Sequence, residues 1–352
     1  MPSRPTRPPL SRTTTHPLYH TARKKPRRWP LVLRFIKGAI HADIAIPVLT
    51  SAIFTALIVY VNQATHQHFS LPTNTIPSIS IVVGLMLVFR NSTSYDRFWQ
   101  GNSHLTTAAT SIRNLTRSFL TCSHLAGKEP DDVESADTER TVRLLLAIIY
   151  AVKNHLRAEW GETIPLLLPK TEVDRRRRES QSLQRAEYID LLPPGTRGYE
   201  DHGLGLLLQL SVQIEAYIKR GHDRGWFHAP QASQLTVQLN TLVDAYGSME
   251  QIHLTPLPVA YLIHMRQVLA LFCGLLAFGL CDEMGWWSIL LVTFISFTLY
   301  GIEAIGAQLE DPFGYDRNDI KMDAIIEDLR VETTVLLEQW KTGSDIFEIK
   351  YN

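Results

Sequence analysis

The feature that most constrains this chain is a set of long apolar runs that carry almost no charge. Ile44 to Val61 (IAIPVLTSAIFTALIVYV) contains no Asp, Glu, Lys or Arg, and its length approaches the roughly 20 residues a helix needs to cross a bilayer. Val268 to Cys281 (VLALFCGLLAFGLC) is led in by the semi-polar stretch from Val259. Trp286 to Tyr300 (WWSILLVTFISFTLY) continues into GIEAIGAQL, where Glu303 is the one charge. Ile76 to Phe89 (IPSISIVVGLMLVF) is shorter. That length suits a buried core helix, a re-entrant segment, or a span with one side facing water inside the protein. Together the runs predict an all-α membrane protein with four transmembrane helices, at about 44–61, 76–97, 259–281 and 286–308.

The flanking charges set an orientation. Residues 1–30 hold eight Lys/Arg, no Asp or Glu, and seven Pro, and Arg34 and Lys37 stand just before the first run. The positive-inside rule therefore puts the N-terminus in the cytoplasm. The connection NQATHQHFSLPTNT (62–75) has no Lys or Arg and falls outside. Arg90 and Arg97 bring the chain back inside, Asp282-Glu283 marks the second outer turn, and everything after Gln308 is again cytoplasmic. The basic tail partly resembles an organelle transit peptide, but its prolines oppose the amphipathic helix such peptides use. A disordered cytosolic tail over 1–30 is expected, and which membrane holds the protein stays open.

The cytosolic part is expected over about 98–255 and 309–340, with a short tail at 341–352. Thr141 to Ala151 (TVRLLLAIIYA) and Leu204 to Ile218 (LGLLLQLSVQIEAYI) are apolar but short, with charges nearby. Their helical spacing predicts buried cytosolic helices and not further spans. The run Arg175–Arg178 reads as a solvated face or a lipid-headgroup contact. Lys+Arg and Asp+Glu both number 35, so charge gives no pointer to a nucleic-acid partner. Cys122, Cys273 and Cys281 form no disulfide framework and no CxxC spacing. No nucleotide-binding or hydrolase signature is present, which argues against an enzyme. His66 and His68 read as polar loop residues. The sequons at Asn91 and Asn114 fall on the cytoplasmic side and read as chance matches. His264, Arg266 and Glu303 lie in or near apolar runs, where they either pair within the bundle or line an ion path.

Two longer motifs bear on function. One is the short run with its polar continuation, IPSISIVVGLMLVFRNSTSYDRFWQG. The other is GIEAIGAQLEDPFG followed by Tyr315-Asp316-Arg317-Asn318-Asp319. Their order and spacing closely resemble the bestrophin family of ion channels, including its bacterial and fungal members. The resemblance extends over residues 31–340 and leaves out the basic tail. It implies a homopentamer embedded in membrane lipid that conducts chloride or other small anions. A cation-conducting homologue and a non-conducting scaffold are the alternatives.

Aligning Arg97-Phe98-Trp99 with the family's Arg-aromatic-Trp implies a pore neck at Ile81, Leu85 and Phe89. Spacing of i, i+4 and i+8 stacks those side chains on one helical face over about 12 Å, and a tight apolar ring can exclude water and block ions. The Arg90–Trp99 segment then continues the same helix into the cytosol. Asp96, Arg97 and Trp99, with Pro312, Phe313 and Gly314, are expected to anchor structure. Phe98 and Trp99 are expected to pack on cytosolic helices. In the calcium-activated members an acidic cluster follows PFG. By position, Asp316 and Asp319 would give carboxylates to calcium, with carbonyls from Gln308 and Asp311. Tyr315, Arg317 and Asn318 depart from that acidic pattern. The other role open to the two aspartates is to cap a helix starting near Asp319. A second, cytosolic constriction would fall near Phe227–Ala232.

Overall fold

The computed structural model describes residues 40–65, 75–123, 131–158, 189–192, 206–314 and 318–342. Among them every regular element is helical. The α-helices are α1 (His41–Thr65), α2 (Thr75–Cys122), α3 (Asp132–Ala158), α4 (Leu206–Asp223), α5 (Ala229–Leu254), α6 (Val259–Met284), α7 (Trp287–Glu310) and α8 (Met322–Lys341), with one 3-10 turn at Ile189–Leu191. Helices α1, α2, α6 and α7 are long and apolar enough to cross a membrane, so the all-α, four-span expectation holds. Asp316, the 1–30 tail, His66, His68, Arg175–Arg178 and residues 343–352 lie outside the described residues.

Helix α2 runs unbroken for 48 residues, about 72 Å at 1.5 Å per residue. No proline follows Pro77, so no ring interrupts its hydrogen-bond ladder. The abrupt change from Phe89 to Arg90 is therefore a change of surroundings along one helix. Its apolar third belongs to the membrane layer and its polar remainder extends beyond it.

Two cores follow from this division. In the membrane half, Ile44 of α1 packs with Val83 and Leu87 of α2, Met265, Leu269 and Phe272 of α6, and Val292 and Tyr300 of α7. Outside it, the far half of α2 supplies Leu105, Ile112 and Phe119 to a larger core. Leu145 and Ile148 of α3, Leu210 and Tyr217 of α4, Leu242 and Met249 of α5, and Leu329 of α8 complete it. Residues 144–152 of α3 are buried on every side. That explains a run almost as apolar as a span in a helix whose ends are charged.

Spans α6 and α7 form a tight hairpin. Gly285 ends α6 at φ 52 and ψ −128, a positive-φ conformation that is essentially glycine's alone. Its N–H donates to the Cys281 carbonyl at 3.0 Å, and its own carbonyl accepts from Ser288 Oγ at 2.7 Å. The hairpin is tied to α1 by Asn62 Nδ2 donating to Asp282 at 2.6 Å and Trp286 Nε1 donating to Gln63 at 3.1 Å. A tryptophan with its ring in apolar surroundings and its N–H bonded suits a membrane boundary.

Candidate functional site

The near half of α2 has two unlike faces. Val83, Leu87, Arg90 and Ser94 are buried against the other helices of the same chain. On the opposite face Ile81, Leu85 and Phe89 are 70%, 53% and 61% exposed. An apolar stripe of this kind is stable only against lipid, another protein surface or a water-poor channel. The three residues named from the resemblance thus share one face, and the described residues leave more than half of each uncovered. Continuing at helical spacing, the stripe passes through Ser92, Asp96, Ser103, Thr110, Arg117 and Thr121, all exposed.

Arg97 points the other way, about 100° around the helix from Asp96. Its guanidinium closes three backbone carbonyls: Nε donates to Glu310 at 3.0 Å, Nη1 to Thr255 at 2.6 Å, and Nη2 to Ile252 at 2.6 Å. Glu310 is the last residue of α7, and Ile252 and Thr255 belong to the final turn and cap of α5. Helix C-termini leave carbonyls without intrahelical donors and carry partial negative charge, so one planar cation satisfies two helix ends at once. Arg90, whose side chain is 1% exposed, pairs through Nη2 with Glu310 Oε2 at 2.8 Å. The other oxygen of that carboxylate accepts the Leu257 N–H at 3.1 Å. Asn91 Nδ2 donates to Ile302 at 3.2 Å. The two sequence motifs meet here and lock α2 to the end of α7.

The EDPFG turn completes the junction. Phe313 is fully buried. A Cβ placed on Gly101 would lie 3.0 Å from the Phe313 ring and 3.1 Å from Pro312, so the turn docks closely on α2 where the helix carries no side chain. Asp311 Oδ1 accepts the Phe313 N–H at 3.4 Å, and Asn318 Nδ2 donates to Gln308 at 2.8 Å. Asp319 is buried, with Oδ2 facing Gly314. Helix α8 begins at Met322, three residues beyond Asp319, and its N-cap residue Lys321 makes no side-chain cap hydrogen bond. Among the described residues no group of three or more His, Cys, Asp or Glu is arranged to hold a metal. Of the calcium ligands the resemblance implies, Asp316 lies outside the described residues, and Asp319 is the one carboxylate of that set whose placement is described.

Other expected positions separate. Phe98 packs against the outer core, whereas Trp99 is 61% exposed and is left uncovered by the described helices of that core. Trp99 falls on the same face as Ile81, which turns it away from the bundle. Arg266 Nε donates to buried Glu303 at 3.0 Å, so these two charges pair, and His264 is exposed. In the segment Phe227–Ala232, Phe227 is buried against Phe119 and Tyr217, while His228 to Pro230 are exposed. The partners of Arg90 and Arg97 could not be read from the sequence. Glu310 stands 220 and 213 positions away from them, and backbone carbonyls leave no residue signature.

Comparison with known proteins agrees with this arrangement. Residues 20–335 match the family described as Bacterial/Fungal Bestrophin protein, a match that reaches back into the basic tail. A voltage-dependent anion channel-forming protein of Synechocystis sp. is 32% identical over 324 residues, covering 91% of this chain and 96% of its own. A protein of the same description from Nostoc sp. is 33% identical over 313 residues, covering 86% and 90%. In fold, a bacterial bestrophin homologue from Klebsiella pneumoniae superposes with a TM-score of 0.67 at 21% identity, over 84% of this chain and 98% of that one. The chain belongs to the bacterial and fungal bestrophin family.

Proposed function

We propose that five copies of the chain form a ring that conducts small anions, chloride among them, along the exposed face of α2. The termini lie in the cytosol and Ile81, Leu85 and Phe89 make the narrowest passage. The observation that carries this is the exposed apolar stripe opposite the buried Val83–Leu87–Arg90 face. A helix that gives one face to its own bundle and leaves the other apolar and uncovered fits a place on a symmetry axis. Apolar rings gate by excluding water. The relatives named as anion channel-forming proteins give the sign of the cargo. The flanking Lys and Arg support the orientation. Calcium has no part in the proposal, so flux with calcium and with a chelator should agree.

The test is chloride flux and reversal potential of purified protein in planar bilayers under a chloride gradient, with the assembly mass measured alongside. A mass near five times 40.0 kDa and a potential tracking chloride are expected. Alanine at Ile81, Leu85 and Phe89 should raise the open fraction or the leak, because trimming widens and wets the passage. A potential that tracks potassium makes the pore cationic. Silence from the wild type and from the alanine variants makes the assembly a scaffold.

A further inference from the structure

Asp96 is left without a role by the anchoring contacts of its neighbours. It is exposed, and no described side chain or backbone group bonds to it. This contrasts with Arg97 beside it, which is fully engaged. By helical spacing Asp96 sits four residues beyond Ser92 and seven beyond Phe89. That keeps it within about 20° of the centre of the Ile81–Leu85–Phe89 stripe and about 10 Å below Phe89. Along the same stripe the next charge is Arg117, about 30 Å further on. Between them stand hydroxyls such as Thr106 and Thr110, whose Oγ1 atoms are turned back onto carbonyls of their own helix. Asp96 is thus the first charged group on this face past the apolar residues. It lies close to one screening length, about 8 Å at physiological salt, from the narrowest point.

From this placement, and resting on the conducting ring proposed above, we propose that Asp96 sets the anion-to-cation permeability ratio. One carboxylate per subunit, gathered around the axis just inside the apolar passage, concentrates cations there and holds back anions entering from the cytosolic side. Rings of acidic side chains favour cations, and low-dielectric walls focus their field. Permeability to anions is then lower than the apolar stripe alone would give. The effect weakens as salt shortens the screening length.

The test is bilayer recording under a potassium chloride gradient with the wild type, Asp96→Asn, Asp96→Glu and Asp96→Cys. Removing the charge should raise the chloride-to-potassium permeability ratio by about threefold or more, a modest share of what focused charge can do, and less at high salt. Asp96→Glu should match the wild type. In Asp96→Cys, a cationic thiol reagent added from the cytosolic side should raise the ratio and an anionic one should return it to the wild-type value. Each channel is its own reference before and after reagent, so poor assembly of Asp96→Asn does not obscure the result. Wild-type channels, which hold half-buried Cys122 and buried Cys273 and Cys281, give the reagent baseline. A conducting Asp96→Asn with the wild-type ratio, or an Asp96→Cys channel blind to both reagents, overturns the role of Asp96 alone. A wild type that passes no ion overturns the ring beneath it.

Discussion

Arg97 joins three segments that are far apart in the chain, and its geometry explains why lysine is a poor substitute. The guanidinium fork presents Nε, Nη1 and Nη2 in fixed directions to Glu310, Thr255 and Ile252. An ammonium is a point donor on a flexible stem. Hydrogen bonds from a charged donor are worth about 1.5–3 kcal/mol each and are not additive. Arg97→Lys should therefore cost the assembled protein about 3 kcal/mol, read as a lower thermal transition in detergent, with Arg97→Ala worse. At Gly101 the argument is steric. Gly101→Ala asks Phe313 and Pro312 to give by a few tenths of an ångström, whereas Gly101→Val places a branched side chain where the ring already sits. Gly101→Val should prevent the EDPFG turn from docking and reduce the yield of assembled protein, measured by size-exclusion profile, while Gly101→Ala should still assemble.

At the level of elements, hydrophobic run length and helical spacing carried the most information. The four spans and the two buried outer helices, α3 and α4, were legible because each signals its environment through its own residues. Boundaries were less legible. The expected second span stops at 97, but α2 continues to Cys122, since a soluble helix leaving a membrane helix adds no stop signal. The stripe was legible by spacing and resemblance. The collar around Arg97 was not, because its acceptors are main-chain carbonyls on α5 and α7. The Gly285 turn is the element on which the α6–α7 hairpin depends. Holding a side chain at such a positive-φ conformation costs about 1–3 kcal/mol. Gly285→Ala should destabilise the hairpin by about that much, read as a lower thermal transition, and Gly285→Asn should do no better, because Asn tolerates positive φ at ψ of about +47° and not at ψ −128.

Across the whole molecule, ion pairs join several helices of the outer half, whereas the membrane half relies on apolar packing with the Arg266–Glu303 pair between α6 and α7. Asp323 of α8 accepts from Arg157 at 2.8 Å and Lys153 at 3.2 Å, both on α3. Burial pushes the Asp323 carboxyl up, but the hydrogen bond and charge of Arg157, helped by Lys153, outweigh it and hold the carboxyl below its ordinary value. A depressed carboxylate stabilises the fold above its unfolded-state pKa, about 3.9, and that contribution disappears as pH falls through the lower folded value. Asp323→Asn should thus destabilise the protein at neutral pH. The gap from wild type should close as the pH is lowered below about 4, which a thermal scan across pH would record. Arg157 and Lys153, both nearly buried, would be left as buried cations without that acceptor.

The unbroken course of α2 has a mechanical consequence. With no proline beyond Pro77 and its far half embedded in the outer core, the helix behaves as a stiff lever. The distance from Ile81 to Thr121 is about 60 Å, so a pivot of only 3° at one end sweeps the other through about 3 Å. That travel is comparable to the width of a desolvated ion. A push on α3, α5 or α8, far from the bilayer, is therefore delivered to the Ile81–Phe89 face without any joint in between to absorb it.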